Sequence, residues 1–115
     1  MSEIMQALYR GDEETARRLG ETAELDVFEA ASLGDVARLG ELLAGDPALA
    51  TARSDDDFTA LHYAAKAGFV KTVALLLAQG ADPAAVDDHG RTPLDWLARA
   101  AKSVDRAAIR RLLVR

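Results

Sequence analysis

The sequence predicts an all-α solenoid: short antiparallel helix pairs stacked side by side, with hairpin loops joining them. Three observations carry this. Thr59-Ala60-Leu61 recurs as Thr92-Pro93-Leu94, 33 residues further on. The segment Val27–Leu43 overlays Leu61–Leu77 without a gap, which sets Ala30-Ala31 on Ala64-Ala65, Gly34 on Gly68 and Leu42-Leu43 on Leu76-Leu77. A shorter echo, Ala7–Leu19, overlays Ala30–Leu42. Self-similarity at a period of roughly 20–50 residues marks units that cannot bury their apolar face alone and must stack to do so.

Taken in order, helix pairs are expected near 2–20, 26–44, 59–79 and 92–114, with hairpin loops near 45–58 and 80–91. Gly11 and Gly34 lie only 23 residues apart, so no hairpin is expected between the first and second pairs. In the second pair, Asp26 followed by Glu29 reads as a capping box. Gly34 and Gly68 supply the tight turn between antiparallel helices. In the third pair, Thr59 accepts a hydrogen bond from a free helical N–H, small Ala64 and Ala65 admit a neighbouring helix, and Val70, Val73, Ala74 and Leu77 recur at helical spacing. In the fourth, Thr92 caps and Pro93 takes the first helical position, where its missing donor costs nothing. The last unit has Ala101 where a glycine is expected, then about three extra residues, with Ser103 expected to cap its second helix. Asp57 stands where the turn calls for a glycine, and aspartate tolerates the left-handed conformation better than most residues.

Composition bounds the function. With 115 residues, half of them hydrophobic and 29% charged, the chain is sized and balanced for one globular domain. The absence of cysteine removes disulfides, zinc–thiolate sites and thiol nucleophiles. A sequence pI near 4.9 argues against nucleic acid as partner. The longest apolar run, Val73–Ala78, is far short of the roughly 20 residues that cross a bilayer, and the acidic start "MSEIMQALYRGDEE" has no signal-peptide pattern. No membrane association and a cytoplasmic location are expected. The alanine- and arginine-rich composition is of a bacterial kind.

These residues resemble the ankyrin repeat family, whose pattern is roughly D-x-x-G-x-T-P-L-H-x-A-A-x-x-G-H, an apolar helix, then L-L-x-x-G-A-D. Thr59, Leu61, His62, Ala64, Ala65, Gly68, Val73, Leu76, Leu77, Gly80, Ala81 and Asp82 fall on it, as do Gly90, Thr92, Pro93 and Leu94. The resemblance covers essentially the whole chain and is strongest from Asp55 to Leu97. It implies a single domain divided as 1–24, 25–53, 54–86 and 87–115, the outer two acting as caps. Its function would be non-enzymatic protein binding through the hairpin tips and a concave surface of first helices. Carried over position by position, the candidate contacts are Ser32, Leu33, Asp55, Asp56, Phe58, Lys66, Asp88, His89, Arg91 and Arg99. Phe58 is either a partner anchor or local packing. A stability-driven or engineered scaffold without an evolved partner is the alternative, and an enzyme or metal protein with an Asp/His site at the tips is the remote one.

The chemistry-bearing residues have structural readings. The resemblance implies that His62 bonds to loop backbone and to the threonine. His89 beside Asp88 has the donor types of a metal ligand or a base, but a solvated loop is the expected role. Asp55-Asp56-Asp57 lacks the spacing of a Ca²⁺ loop and reads as a solvated turn. Trp96 is expected to pack at the C-terminal end rather than to form a binding hot spot. No nucleophile–base–orienter set is present in the pattern, and no cofactor or metal is expected.

Charge is uneven. Residues 1–60 hold five Arg and Lys against fourteen Asp and Glu, and residues 61–115 hold nine against five, giving −9 and +4. A linear stack converts this into an acidic and a basic end. Asp55, Asp56, Asp57, Asp87 and Asp88 are expected to form an acidic patch at the tips that steers a basic segment of an unknown protein partner toward a monomeric domain.

Overall fold

A computed structural model describes residues 2–22, 24–100 and 105–114. Eight helices run in order: α1 (Glu3–Tyr9), α2 (Glu13–Thr22), α3 (Val27–Leu33), α4 (Val36–Gly45), α5 (Ala60–Ala67), α6 (Val70–Ala78), α7 (Pro93–Leu97) and α8 (Arg106–Leu113). They form four antiparallel pairs, and no strand is present among the described residues. An isolated antiparallel bridge, Arg53 with Thr59, closes the first hairpin.

Local sequence explains where the helices begin. Ser2, Asp26, Asp35, Thr59, Thr92 and Asp105 each accept a backbone N–H of the first turn. In α3, α5 and α7 the bond is returned, by Glu29, His62 and Asp95 respectively, completing a capping box. The first helices of the two middle pairs end on Gly34 and Gly68, at φ 73° and 81°, the left-handed region that lets the chain reverse within two residues.

The core runs through the stack as one layer: α3 packs along α5 and α5 along α7, while α4 meets α6 and α6 meets α8. Alanines 30, 31, 60, 64 and 65 are buried between first helices, and Leu39, Leu43, Leu61, Val73, Leu76, Leu97 and Ile109 fill the space behind them. Each of these large side chains contributes about 1.5–3 kcal/mol by leaving water.

Two features differ from expectation. The segment after α4 is not all loop: Asp46 caps a 3₁₀ turn at Pro47–Ala50 that buries Ala50, which accommodates the extra residue before Thr59. The last helix starts at Arg106 with Asp105 as its cap, not Ser103. Aspartate at that position accepts from the N–H of Ala108 at 3.0 Å, so the helix begins later than the serine implied. Ala101 and Ser103 themselves lie outside the described residues. By contrast, Asp57 does take the left-handed conformation, at φ 65°.

Candidate functional site: the first-helix face and its tips

Overlaying the repeats puts Tyr9, Ser32, Lys66 and Arg99 at one equivalent position in four successive units. The fold brings them into a column near the ends of the first helices. Ser32 is small, so the Tyr9 ring and Lys66 meet across it, with Nζ 4.9 Å from the ring centroid.

Beside this column runs an aromatic row. Phe58 stands edge-on to Trp96 at 5.3 Å and to Tyr63 at 5.5 Å, and Phe28 follows at 5.9 Å from Tyr63. Trp96 is surrounded by cations: Arg91, Arg99 and Lys66 lie 4.6, 4.9 and 5.4 Å from its centroid. Such contacts are favourable by about 0.5–2 kcal/mol, depending on exposure. Burial, and secondarily Arg99, push the Lys66 ammonium below its usual pKa. Among the described residues, neither Lys66 nor Arg99 has a carboxylate partner.

A groove of about 370 Å³ opens next to the column, lined by Leu8, Tyr9, Leu33, Tyr63, Lys66 and Phe69, among others. It exists because α1 packs chiefly on α2 rather than on α3. Ser32 also lines it, and its Oγ is buried without a hydrogen-bond partner among the described residues.

The tips are held by buried polar groups. Asp87 is buried, and its carboxylate accepts from the N–H of His89 (2.8 Å) and of Arg91 (2.9 Å), from Arg91 Nε (2.9 Å) and from Trp96 Nε1 (3.0 Å). Burial opposes its ionisation, but these donors outweigh it and hold the carboxyl well below the usual carboxylate range. His62 links two units. Its Nδ1 accepts from the Thr59 N–H at 3.2 Å and lies 2.8 Å from Thr59 Oγ1, and its Nε2 is 2.9 Å from the carbonyl of Arg91. This arrangement requires the neutral ring with its proton on Nε2. Arg53 Nη1 donates to the carbonyl of Val86 at 2.7 Å, tying adjacent tips together.

A pH dependence follows. Burial lowers the His62 pKa from 6.5. The unfolded chain therefore binds its proton more readily than the folded one, so the stabilisation is complete above about pH 6.5 and falls as the pH drops through the folded value. Urea midpoints are expected to decline between about pH 7 and 5.5, and His62→Gln to flatten that decline. An identical slope in the variant would show that His62 does not contribute.

The candidate contacts separate into two groups. Asp55, Asp56, Asp88, His89 and Arg99 are exposed, Leu33 and Lys66 half-buried. Phe58, considered as an anchor, instead packs among His62, Tyr63 and Trp96. Ser32 is buried rather than on the open side, and Arg91 is committed to Asp87 and Trp96. Replacing Phe58 and Arg91 together would thus disturb the tip itself. Asp87 drops out of the acidic patch. Trp96, expected as terminal packing, stands at the centre of this face.

The ligating atoms of Asp87, Asp88 and His89 lie within 4.8 Å of one another. Both oxygens of Asp87 are already engaged by four donors, and His89 Nδ1 is 2.8 Å from Asp88 Oδ1, so the cluster is organised as a turn.

The model of the family "Ankyrin repeats (3 copies)" matches residues 4–114. The chain belongs to the ankyrin repeat family. Its similar proteins include the E3 ubiquitin-protein ligase XB3 of Oryza sativa subsp. japonica, 46% identical over 72 residues, which is 62% of this chain and 16% of that protein. The putative E3 ubiquitin-protein ligase XBAT35 of Arabidopsis thaliana is 40% identical over 97 residues, 82% of this chain and 21% of that one. The NAD-capped RNA hydrolase NUDT12 of Homo sapiens is 38% identical over 65 residues, 56% and 14% respectively. This ankyrin repeat chain spans between 14% and 21% of the length of these three relatives, whose names describe those longer proteins. Ankyrin repeats are generally protein-interaction modules and typically non-enzymatic. No helix among the described residues is long and apolar enough to cross a membrane.

Proposed function

We propose that the chain is a non-enzymatic, cytoplasmic protein-binding module whose partner lies on the face built by the first helices and the hairpin tips. The column Tyr9, Ser32, Lys66 and Arg99 carries this reading. It combines aromatic surface, two cations without carboxylate partners among the described residues and an adjoining groove; aromatic residues and arginine are enriched at interface centres. The groups best suited to acid–base chemistry, His62 and Asp87, are occupied on every side by hydrogen bonds that build the tips. Exposed Asp55, Asp56 and Asp88 flank this face and favour basic residues at the partner's margin, acting mainly on the association rate.

The test is photo-crosslinking from position 99 in the source cells, followed by affinity measurement with the partner so identified. Tyr9→Ala with Arg99→Ala is expected to weaken binding at least tenfold, about 1.4 kcal/mol, in a chain that remains folded but melts several degrees lower, because each change removes a cation–ring contact. Lys71→Ala with Arg110→Ala, on the second helices, should leave affinity intact. Loss of affinity in the second pair and not the first would place the partner on the opposite face.

A further inference from the structure

We infer that the first-helix face takes an extended segment carrying one acidic side chain beside an apolar one. The carboxylate seats on Lys66 and Arg99, and the apolar side chain enters the groove lined by Leu33, Tyr63 and Phe69. This deepens the protein-binding reading and rests on it.

Charge complementarity identifies the occupant. Arg91 touches the same tryptophan but is neutralised by Asp87, whereas Lys66 and Arg99 have no carboxylate partner among the described residues. Asp95, the carboxylate one turn before Arg99, spends Oδ2 on the N–H of Thr92 at 2.9 Å and on its Oγ1 at 3.2 Å. Two like charges brought together on one partly desolvated ring repel each other, and an incoming carboxylate relieves both. A charge-assisted hydrogen bond to either is roughly twice as strong as a neutral one.

The groove supplies the second half of the recognition. Its walls are mainly apolar, and Glu13 and Arg17 in its lining contribute one charge of each sign. Ser32 lines the groove beside Lys66 but is buried, so its small side chain leaves room for an extended segment without bonding to it. The acidic tips exclude a uniformly acidic chain. They select a single carboxylate at the centre, with neutral or basic residues toward Asp55, Asp56 and Asp88.

The experiment is a titration of the isotopically labelled full chain, followed by amide chemical shifts. The probes are a blocked hexapeptide with one glutamate between leucine and phenylalanine, and the same peptide with glutamine or lysine at that place. The glutamate peptide is expected to shift Ser32, Lys66 and Arg99 and to bind at least tenfold more tightly than the other two. K66Q/R99Q should abolish that preference. Equal binding of the three peptides on this face would overturn acid recognition while leaving the protein-binding reading intact. Shifts confined to the tips, or none, would overturn the inference, as would peptide-independent self-association showing that a second copy covers the face. If K66Q/R99Q does not fold, the glutamate–glutamine comparison in the unaltered chain still decides.

Discussion

Asp87→Ala is expected to lower the melting temperature by roughly 10 °C, following a loss on the order of 2–3 kcal/mol. The substitution removes the acceptor shared by the indole N–H of Trp96, the guanidinium of Arg91 and two backbone N–H groups. Breaking such a set leaves several donors unpaired at once, which costs more than any one bond contributes. The effect should also carry a pH signature. The folded pKa of Asp87 lies below its reference of 3.8, so the stabilisation is present above that value and is lost as the pH falls through the folded pKa. The variant should therefore lose less on acidification than the unaltered protein. Thermal melts at pH 7 and in the acid range check both parts, and an unchanged melting temperature at neutral pH would show that the tip does not depend on this carboxylate.

Gly34→Val is expected to cost about 2–3 kcal/mol. The position has φ 73°, where a β-branched residue is strained in itself. An added Cβ would also lie 2.8 Å from the Phe69 ring. That ring is partly exposed and can swing aside, so the backbone term dominates stability. Phe69 also lines the groove, however, so the same substitution should distort the proposed binding face. Chemical denaturation measures the first effect. The glutamate peptide measures the second: a stability loss with unaltered peptide affinity would remove Phe69 from the groove's working surface. Gly40, with open space around its Cβ position, is the helical control for these measurements.

The repeat pattern made the fold readable because every level of the sequence agrees with it. The capping residues Asp26, Thr59 and Thr92, the turn glycines Gly34 and Gly68 and the buried alanines each specify local structure from within a few residues. Ser103 misled because a serine and an aspartate two residues apart are both good caps, and only helix register against α6 and α7 chooses between them. The 3₁₀ turn at Pro47–Ala50 has a cap and a proline but no apolar periodicity to announce it.

The site was less legible. The column of equivalent positions was visible for Ser32, Lys66 and Arg99, but Tyr9 belongs to it only through the weak echo of the first unit. Asp87 reads as one more surface acid in Asp87-Asp88. Its burial depends on Trp96 nine residues away and on an arginine side chain folding back over the ring. Phe58, Tyr63 and Trp96 meet only because adjacent units stack at the right spacing, which the spacing along one chain does not reveal.

The central claim is that this ankyrin stack works through its first-helix face and not through chemistry at the tips. The most direct measurement is amide hydrogen exchange of the chain alone and bound to the partner crosslinked from position 99. Added protection should concentrate in the last turns of α3, around Ser32, and of α5, and in α7, with little change in α4, α6 and α8. Protection confined to α4, α6 and α8 would contradict the account.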